Sequence, residues 1–269
     1  MSITPLVFIG GLGGSGTRLP ILMLKQYGVF IGSDLNEAYD NLLFTRMFKN
    51  PSWFVNRVDG DIKRRIEVFI DAHKAEKLDK EVRLYLKNVI KTNKLIESNF
   101  WYNPLQKNNK NSPFLAWKEP NSWIFIKSFL ESISSLKYIH MVRDPLYMMQ
   151  STNKQQLRNW SSALFGYDSS WAQNNMELAQ LHYWLDCNEE VLSLSKGNLQ
   201  DRIMILSYDR FCQEPKKYIS ILFKYCGLDL TEEQLSEYAG LTMYTTKELS
   251  NIIPIDLQER VDRILQCLL

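Results

Sequence analysis

The stretch VFIGGLGGSGTRLPILML, Val7 to Leu24, constrains this chain more than any other part of it. An apolar run leads into five glycines between Gly10 and Gly16, and a helix-like run leads out. A buried strand, a tight glycine loop and a helix in that order open an α/β fold. Loop N–H groups and a helix N-terminus then converge on an anion. Gly11, Gly13 and Gly16 fit the dinucleotide pattern G-x-G-x-x-G. Gly11 to Gly16 also has the spacing of a nucleotide P-loop, but Thr17-Arg18 stands where a kinase-type loop has Lys then Ser or Thr. Gly13, Gly14 and Gly16 offer backbone donors, and Ser15, Thr17 and Arg18 add side-chain donors.

The rest of the chain repeats the alternation of short apolar runs with longer amphipathic ones, which favours a parallel sheet flanked by helices. About five strands are expected: Leu6–Gly10, Val29–Gly32, Phe114–Lys118, Lys137–Val142 and Arg202–Ser207. Ser33 and Asp34 read as caps of a helix running through "SDLNEAYDNLLFTRMF". "NSWIFIKSFLESI" and "MELAQLHYWLDCNEEVLSL" read as helices, and "PKKYISILFKYCGL" as a helix closed by Gly227. Residues 61–98 are rich in charge with spaced Ile, Leu and Val, a helical insertion or cap within one domain spanning residues 1–269. Tyr102–Pro113 is polar and loop-like.

Ligands of doubly wound sheets collect at the carboxyl ends of strands, so those ends are the places to look. After the fourth strand comes "RDPLYMMQS": Arg143, then Asp144 as a cap, Pro145 opening a helix, and Ser151 about two turns on. An arginine can fork onto a phosphate and a serine can add a bond. Two such sites on neighbouring strand ends suit a ligand with two separated phosphate groups. After the fifth strand, Tyr208 could line an adenine site. A net charge of +2 gives no electrostatic case for nucleic acid. Cys187, Cys212, Cys226 and Cys267 lack metal-site spacing and read as buried thiols of a reducing compartment. With no signal peptide and no transmembrane run in the sequence, a cytoplasmic protein is expected.

In this order these segments resemble the sulfotransferase family that uses 3′-phosphoadenosine-5′-phosphosulfate (PAPS). The family's first motif ends in Ser-Gly-Thr-[Thr/Arg], here Ser15 to Arg18, and the resemblance implies that it holds the 5′-phosphosulfate. Its second places Arg and Ser eight apart, here Arg143 and Ser151, and implies a 3′-phosphate site. Its third is similar to "LSYDRFCQEP…YCGLDL", and "WKEP" (Trp117–Pro120) sits where many members have a Lys-x-Pro turn. Two departures stand out. Gly14 replaces a basic residue common in the family, for which Arg18 or Lys118 could substitute. The phosphate clamp near the C-terminus of many members is missing, with Thr245 and Lys247 of "YTTKELS" as the replacement.

The implied reaction moves a sulfuryl group to a hydroxyl or amine of a saccharide, glycolipid or other small molecule by in-line displacement, without a metal. Alignment and charge stabilisation carry such transfers. A base must take the acceptor's proton. Glu37 and Asp40, three apart, would share a helical face, with Glu37 favoured over Asp40 and Glu119 as the other contender. His73, His140 and His182 read as structural. The aromatics Trp160, Phe165, Tyr167 and Trp171 suit either an acceptor surface or a core hinge. Three alternatives stay open. A Rossmann oxidoreductase using NAD(P) would put Asp34 on a ribose. A P-loop kinase and a non-catalytic adenylate-binding protein of the same fold are the others.

Overall fold

A computed structural model describes residues 6–74, 78–90, 112–242 and 252–269. Four strands, β1 (Leu6–Gly11), β2 (Leu115–Lys118), β3 (Leu136–Val142) and β4 (Ile203–Ser207), form one parallel sheet in the order β2-β1-β3-β4. All but one of their residues are buried. Strands covered on both faces read as continuous apolar runs, which is why the sequence disclosed them.

Between β1 and β2 run α1 (Arg18–Gln26), α2 (Leu42–Phe48), α3 (Pro51–Asn56), α4 (Asp61–Lys74) and α5 (Lys80–Ile90). A 3₁₀ turn (Pro120–Phe125) and α6 (Ile126–Ser132) lead to β3. Then come α7 (Pro145–Gln150), α8 (Gln155–Phe165), α9 (Ser169–Asn174) and α10 (Met176–Ser195). After β4 follow α11 (Tyr208–Gln213), α12 (Pro215–Cys226), α13 (Glu232–Ala239) and α14 (Ile255–Gln266).

Alternate residues of β1 feed two cores, one on each face of the sheet. Leu6 and Phe8 enter the larger, with Phe44, Phe69, Leu86, Phe129, Trp160, Trp184 and Ile264. Val7 and Ile9 enter the smaller, with Ile21, Leu24, Phe211, Ile219, Phe223 and Tyr238. Phe8 meets Phe44, Trp117 and Phe129 edge-on at 5.3, 5.9 and 5.3 Å between ring centroids, the geometry that aromatic quadrupoles prefer. Helices α4 and α5 contribute Ile66, Val68, Phe69, Val82 and Leu86 to the larger core. The last eight residues of the expected 61–98 segment and most of Tyr102–Pro113 lie outside the described residues.

Several local expectations need correction. Among the described residues the sheet has four strands, not five: Val29–Gly32 makes a single bridge, Phe30 to Leu115. Gly28 (φ +100°) and Gly32 (φ +103°) turn the chain away on either side. Ser33–Asp40 is not helical. Asn36 Oδ1 takes the N–H groups of Ala38 (2.9 Å) and Asp40 (2.8 Å), and Tyr39 sits at φ +62°. Such side-chain turns compete with helix formation. The helix begins at Leu42 with Asn41 as its cap, Oδ1 accepting the Phe44 N–H at 2.9 Å. Residues 120–125 are a 3₁₀ turn, capped by Glu119 and opened by Pro120, and the α-helix begins only at Ile126. Cys187, Cys212 and Cys226 are buried, but Cys267 is exposed, just past the end of α14.

Candidate active site

The chain leaves β1 toward β2 on one side and leaves β3 toward β4 on the other. The crevice between the carboxyl ends of β1 and β3 is therefore the switch point where such sheets bind ligands. The glycine loop fills one side of it. Ser15 N–H bonds Leu12 O (2.9 Å) and Leu19 N–H bonds Gly16 O (3.1 Å). The N–H groups of Gly13, Gly14, Gly16, Thr17 and Arg18 find no backbone carbonyl among the described residues. Thr17 precedes α1 without a side-chain cap, and no acidic residue lies in its first turn. These open donors and the helix dipole suit an anion. Ser15 Oγ is buried and has no hydrogen-bond partner among the described residues; Thr17 is buried and Arg18 exposed.

Gly14 has φ +100°, a conformation L side chains rarely adopt. That explains why no basic residue stands there: the loop's path at this point is one only glycine follows at low cost. Gly16 has φ +90°, and a Cβ there would run into the Tyr208 ring. Tyr208 thus packs over the loop, which its expected place beside an adenine did not anticipate.

Arg143 and Ser151 supply the opposite wall. Arg143 Nη1 donates to Gly14 O at 3.2 Å, and its guanidinium lies 4.5 Å from the Tyr147 ring centroid and 4.9 Å from that of Tyr208, within cation–π range. Its Nε is buried without a partner among the described residues. Helix α7 opens as the sequence indicated, with Asp144 accepting the N–H groups of Leu146 (2.9 Å) and Tyr147 (3.2 Å) and Pro145 at its first position. It closes on Lys154, whose Nζ donates to Met148 O (3.0 Å) and Met149 O (2.5 Å). Burial pushes that ammonium down to about 8. Ser151, the C-cap, lies so that a Cβ on Gly14 would sit 3.5 Å from its Oγ. Residues 129 apart in sequence thereby meet.

At the end of β2 the Glu119 N–H bonds Ile9 O (3.1 Å), which seats this turn beside the glycine loop. Lys118 is buried; its Nζ donates to Ala38 O (3.0 Å) and pairs with Asp40. Asp40 also accepts Asn36 Nδ2 at 2.8 Å. Glu37 is exposed and makes no ion pair among the described residues. So Glu37 and Asp40 share a compact loop, not a helical face, and differ in engagement. Asn41 fastens this loop, its N–H donating to Lys118 O (2.8 Å) and its Nδ2 meeting His73 Nε2 (2.9 Å). His73 Nδ1 faces Phe69 O at 2.8 Å. A carbonyl only accepts, so the proton is on Nδ1 and Nε2 accepts from Asn41. Burial pushes His73 down to about 4 and Glu119 up to about 7. Glu119 spends its carboxyl on Asn121 N–H (2.6 Å) and Nδ2 (2.8 Å).

Other residues fall elsewhere. Asp34, the acid of the dinucleotide alternative, is paired with Arg46. Trp160 is core, and Tyr167 is tied to Asp186 at 2.5 Å, so the Trp160–Trp171 segment is anchored to α10. His140 is buried in β3. Thr245 and Lys247 lie outside the described residues. Among the described residues no His/Cys/Asp/Glu group could hold a metal ion, and no helix is long and apolar enough to cross a membrane. A cavity of about 410 Å³ lined by Arg64, Glu67, Asp71 and Ser132–Ser135 opens at the opposite end of the strands, where β3 begins. Asn41 and Lys154 escaped the sequence reading. Asn before the apolar run Leu42–Phe44 was an available cap signal, whereas a lysine closing a short helix leaves none.

No curated protein matches the chain. Among solved structures, the sulfotransferase domain from the curacin biosynthetic pathway is similar over 98% of this chain and 96% of its own, at 15% identity and TM-score 0.50. The sulfotransferase domain from the Synechococcus PCC 7002 olefin synthase matches 98% of this chain and 88% of its own, at 18% identity and TM-score 0.46. Sulfotransferase STF9 from Mycobacterium avium matches 99% of this chain and 76% of its own, at 13% identity and TM-score 0.48. The family model described as "Sulfotransferase family" matches residues 5–232, a span that holds the glycine loop, Lys118, Arg143, Ser151 and Tyr208. The chain belongs to the sulfotransferase family.

Proposed function

We propose that the protein transfers a sulfuryl group from PAPS to a hydroxyl or amine of a small-molecule or saccharide acceptor. The observation that carries this reading is the convergence of two anion-binding elements on Gly14: the open N–H groups of the loop and the Arg143–Ser151 pair. Their separation into two walls suits a nucleotide with phosphate at both 5′ and 3′ positions. The unpartnered Nε of Arg143 and the open loop donors fit the two anions.

The donor supplies an activated sulfuryl group whose loss leaves charge on the 5′-phosphate. The open N–H groups of Gly13, Gly14, Gly16, Thr17 and Arg18 stand ready for that charge, so little reorganisation is needed during transfer. Arg18 and Lys118 are the nearby cations, Lys118 held in place by Asp40 and Ala38 O. Arg143 and Ser151 hold the 3′-phosphate and fix the nucleotide's direction. Glu37, the exposed carboxylate of the loop beside Lys118, takes the acceptor proton; Asp40 orients Lys118 and is the second choice for base. Thr245 and Lys247 are proposed as further nucleotide contacts on the resemblance alone.

Transfer of labelled sulfate from PAPS to a panel of phenols, amines and saccharides tests this. Glu37→Gln is expected to lose transfer at least about a hundredfold, the usual size of general-base catalysis, while binding 3′-phosphoadenosine 5′-phosphate as the wild type does. Near-normal turnover would exclude Glu37 as the base.

A further inference from the structure

Arg143 leaves β3 one residue after the ladder ends at Val142–Ser207. Beyond that point no neighbouring strand fixes the backbone, yet the direction of the Arg143 side chain depends on it. The peptide group that joins Arg143 to Asp144 is instead held from two sides by side chains of other elements. Its carbonyl accepts the indole N–H of Trp184 at 3.0 Å. Its N–H donates to Asp209 Oδ2 at 2.8 Å.

Both holders are themselves fixed. Trp184 is buried in the larger core on α10. One turn on, Asn188 Nδ2 donates to Trp184 O at 2.7 Å, so its Oδ1 is left to accept from His140 Nε2 at 2.9 Å. His140 Nδ1 then accepts from the Tyr138 hydroxyl at 3.0 Å. The chain of bonds runs one way, from Tyr138 through His140 to Asn188, and sets α10 against β3 so that Trp184 faces the strand's end. Asp209 stands in the first turn of α11, next to the Tyr208 ring that packs over Gly16 and faces Arg143.

We propose that Trp184 and Asp209 are positioning residues that clamp this peptide and thereby aim Arg143 across Gly14, so that the preference for a 3′-phosphate depends on them although neither touches the ligand. This rests on the assignment of Arg143 to the 3′-phosphate. The Asp144 cap holds the start of α7, and the clamp sets the residue before it.

The test is calorimetric affinity for 3′-phosphoadenosine 5′-phosphate and for 5′-AMP, in wild type, Trp184→Phe, Asp209→Ala, Asp209→Asn and Arg143→Ala. Trp184→Phe and Asp209→Ala are each expected to lower the preference for the bisphosphate about three- to tenfold, the size of one net hydrogen bond, with AMP affinity unchanged. Asp209→Asn keeps an acceptor for the Asp144 N–H and is expected to restore the preference. Neither variant should lower it further in an Arg143→Ala background. Equal loss of both nucleotides, or additive loss on Arg143→Ala, would overturn the clamp. If Arg143→Ala leaves the preference intact, the 3′-phosphate assignment itself fails. If it abolishes the preference while Trp184→Phe and Asp209→Ala do not move it, only the clamp fails. Should Trp184→Phe not fold, Asp209→Ala with its Asn rescue decides the matter from the less buried side.

Discussion

A methyl group on Gly16 would collide with the Tyr208 ring at a backbone angle of φ +90°, whereas one on Gly28, at φ +100°, would meet nothing within 4 Å. The pair separates backbone strain from steric overlap. Gly28→Ala is expected to cost about 1 kcal/mol and Gly16→Ala about 3 kcal/mol or more, read by urea unfolding; equal costs would mean that Tyr208 yields easily. Buried titratable residues give a second prediction. Glu119 is pushed up to about 7, so the native state holds its proton where the unfolded chain has lost it. That contribution is full below the ordinary glutamate range and is lost as pH rises through 7. His73 and His140 are pushed down to about 4. Theirs is full above the ordinary histidine value and is lost as pH falls toward 4. Between about 4.5 and 6.5 the two histidines add stability as pH rises while Glu119 opposes them, and between about 6.5 and 7 the Glu119 contribution is still falling. Glu119→Gln removes the Glu119 contribution: its stability relative to wild type should improve as pH rises from about 4.5 to 7 and stay level above that. A relative stability that does not change over that range would contradict the assignment.

At the scale of elements, the 33–40 loop owes its place to Asn41, which caps α2, meets His73 and bonds the backbone of Lys118. Asn41→Ala is expected to cost about 2 kcal/mol, a lost cap plus an unpartnered buried imidazole nitrogen, and to lower sulfate transfer far more than nucleotide affinity, because the loop carries Glu37 and Asp40. Equal loss of both would mean that the loop also shapes the nucleotide site. This loop is also where sequence reading failed. Ser33, Asp34 and acids three apart imitate a helix start, but Asn36 folds the backbone onto its own side chain and Tyr39 takes a left-handed conformation. Helix α7 was legible down to its cap because Asp144 and Pro145 act on their immediate neighbours. Val29–Gly32 had the composition of a strand, and the glycines on either side of its bridge decided otherwise.

Across the whole molecule, the sheet and its layers were legible because buried parallel strands are apolar from end to end. The spacing from Arg143 to Ser151 was legible as well. What no local pattern records is that these residues close on Gly14 from the far side of the crevice, that Tyr208 lies over Gly16, and that Lys118 is held by Asp40. Those contacts join segments of the chain separated by dozens of residues, and only the strand order brings them together. The central claim is that this crevice selects a nucleotide bearing both a 5′ and a 3′ anion. It is tested most directly by the shift in melting temperature on adding 3′-phosphoadenosine 5′-phosphate, 5′-AMP, NAD or ATP at equal concentration, since a ligand specific for the native state raises it more the more tightly it binds. The bisphosphate is expected to give the largest shift, and Arg143→Ala to reduce that shift to the level of AMP; a larger shift with NAD or ATP, or an unchanged preference in Arg143→Ala, would contradict the account.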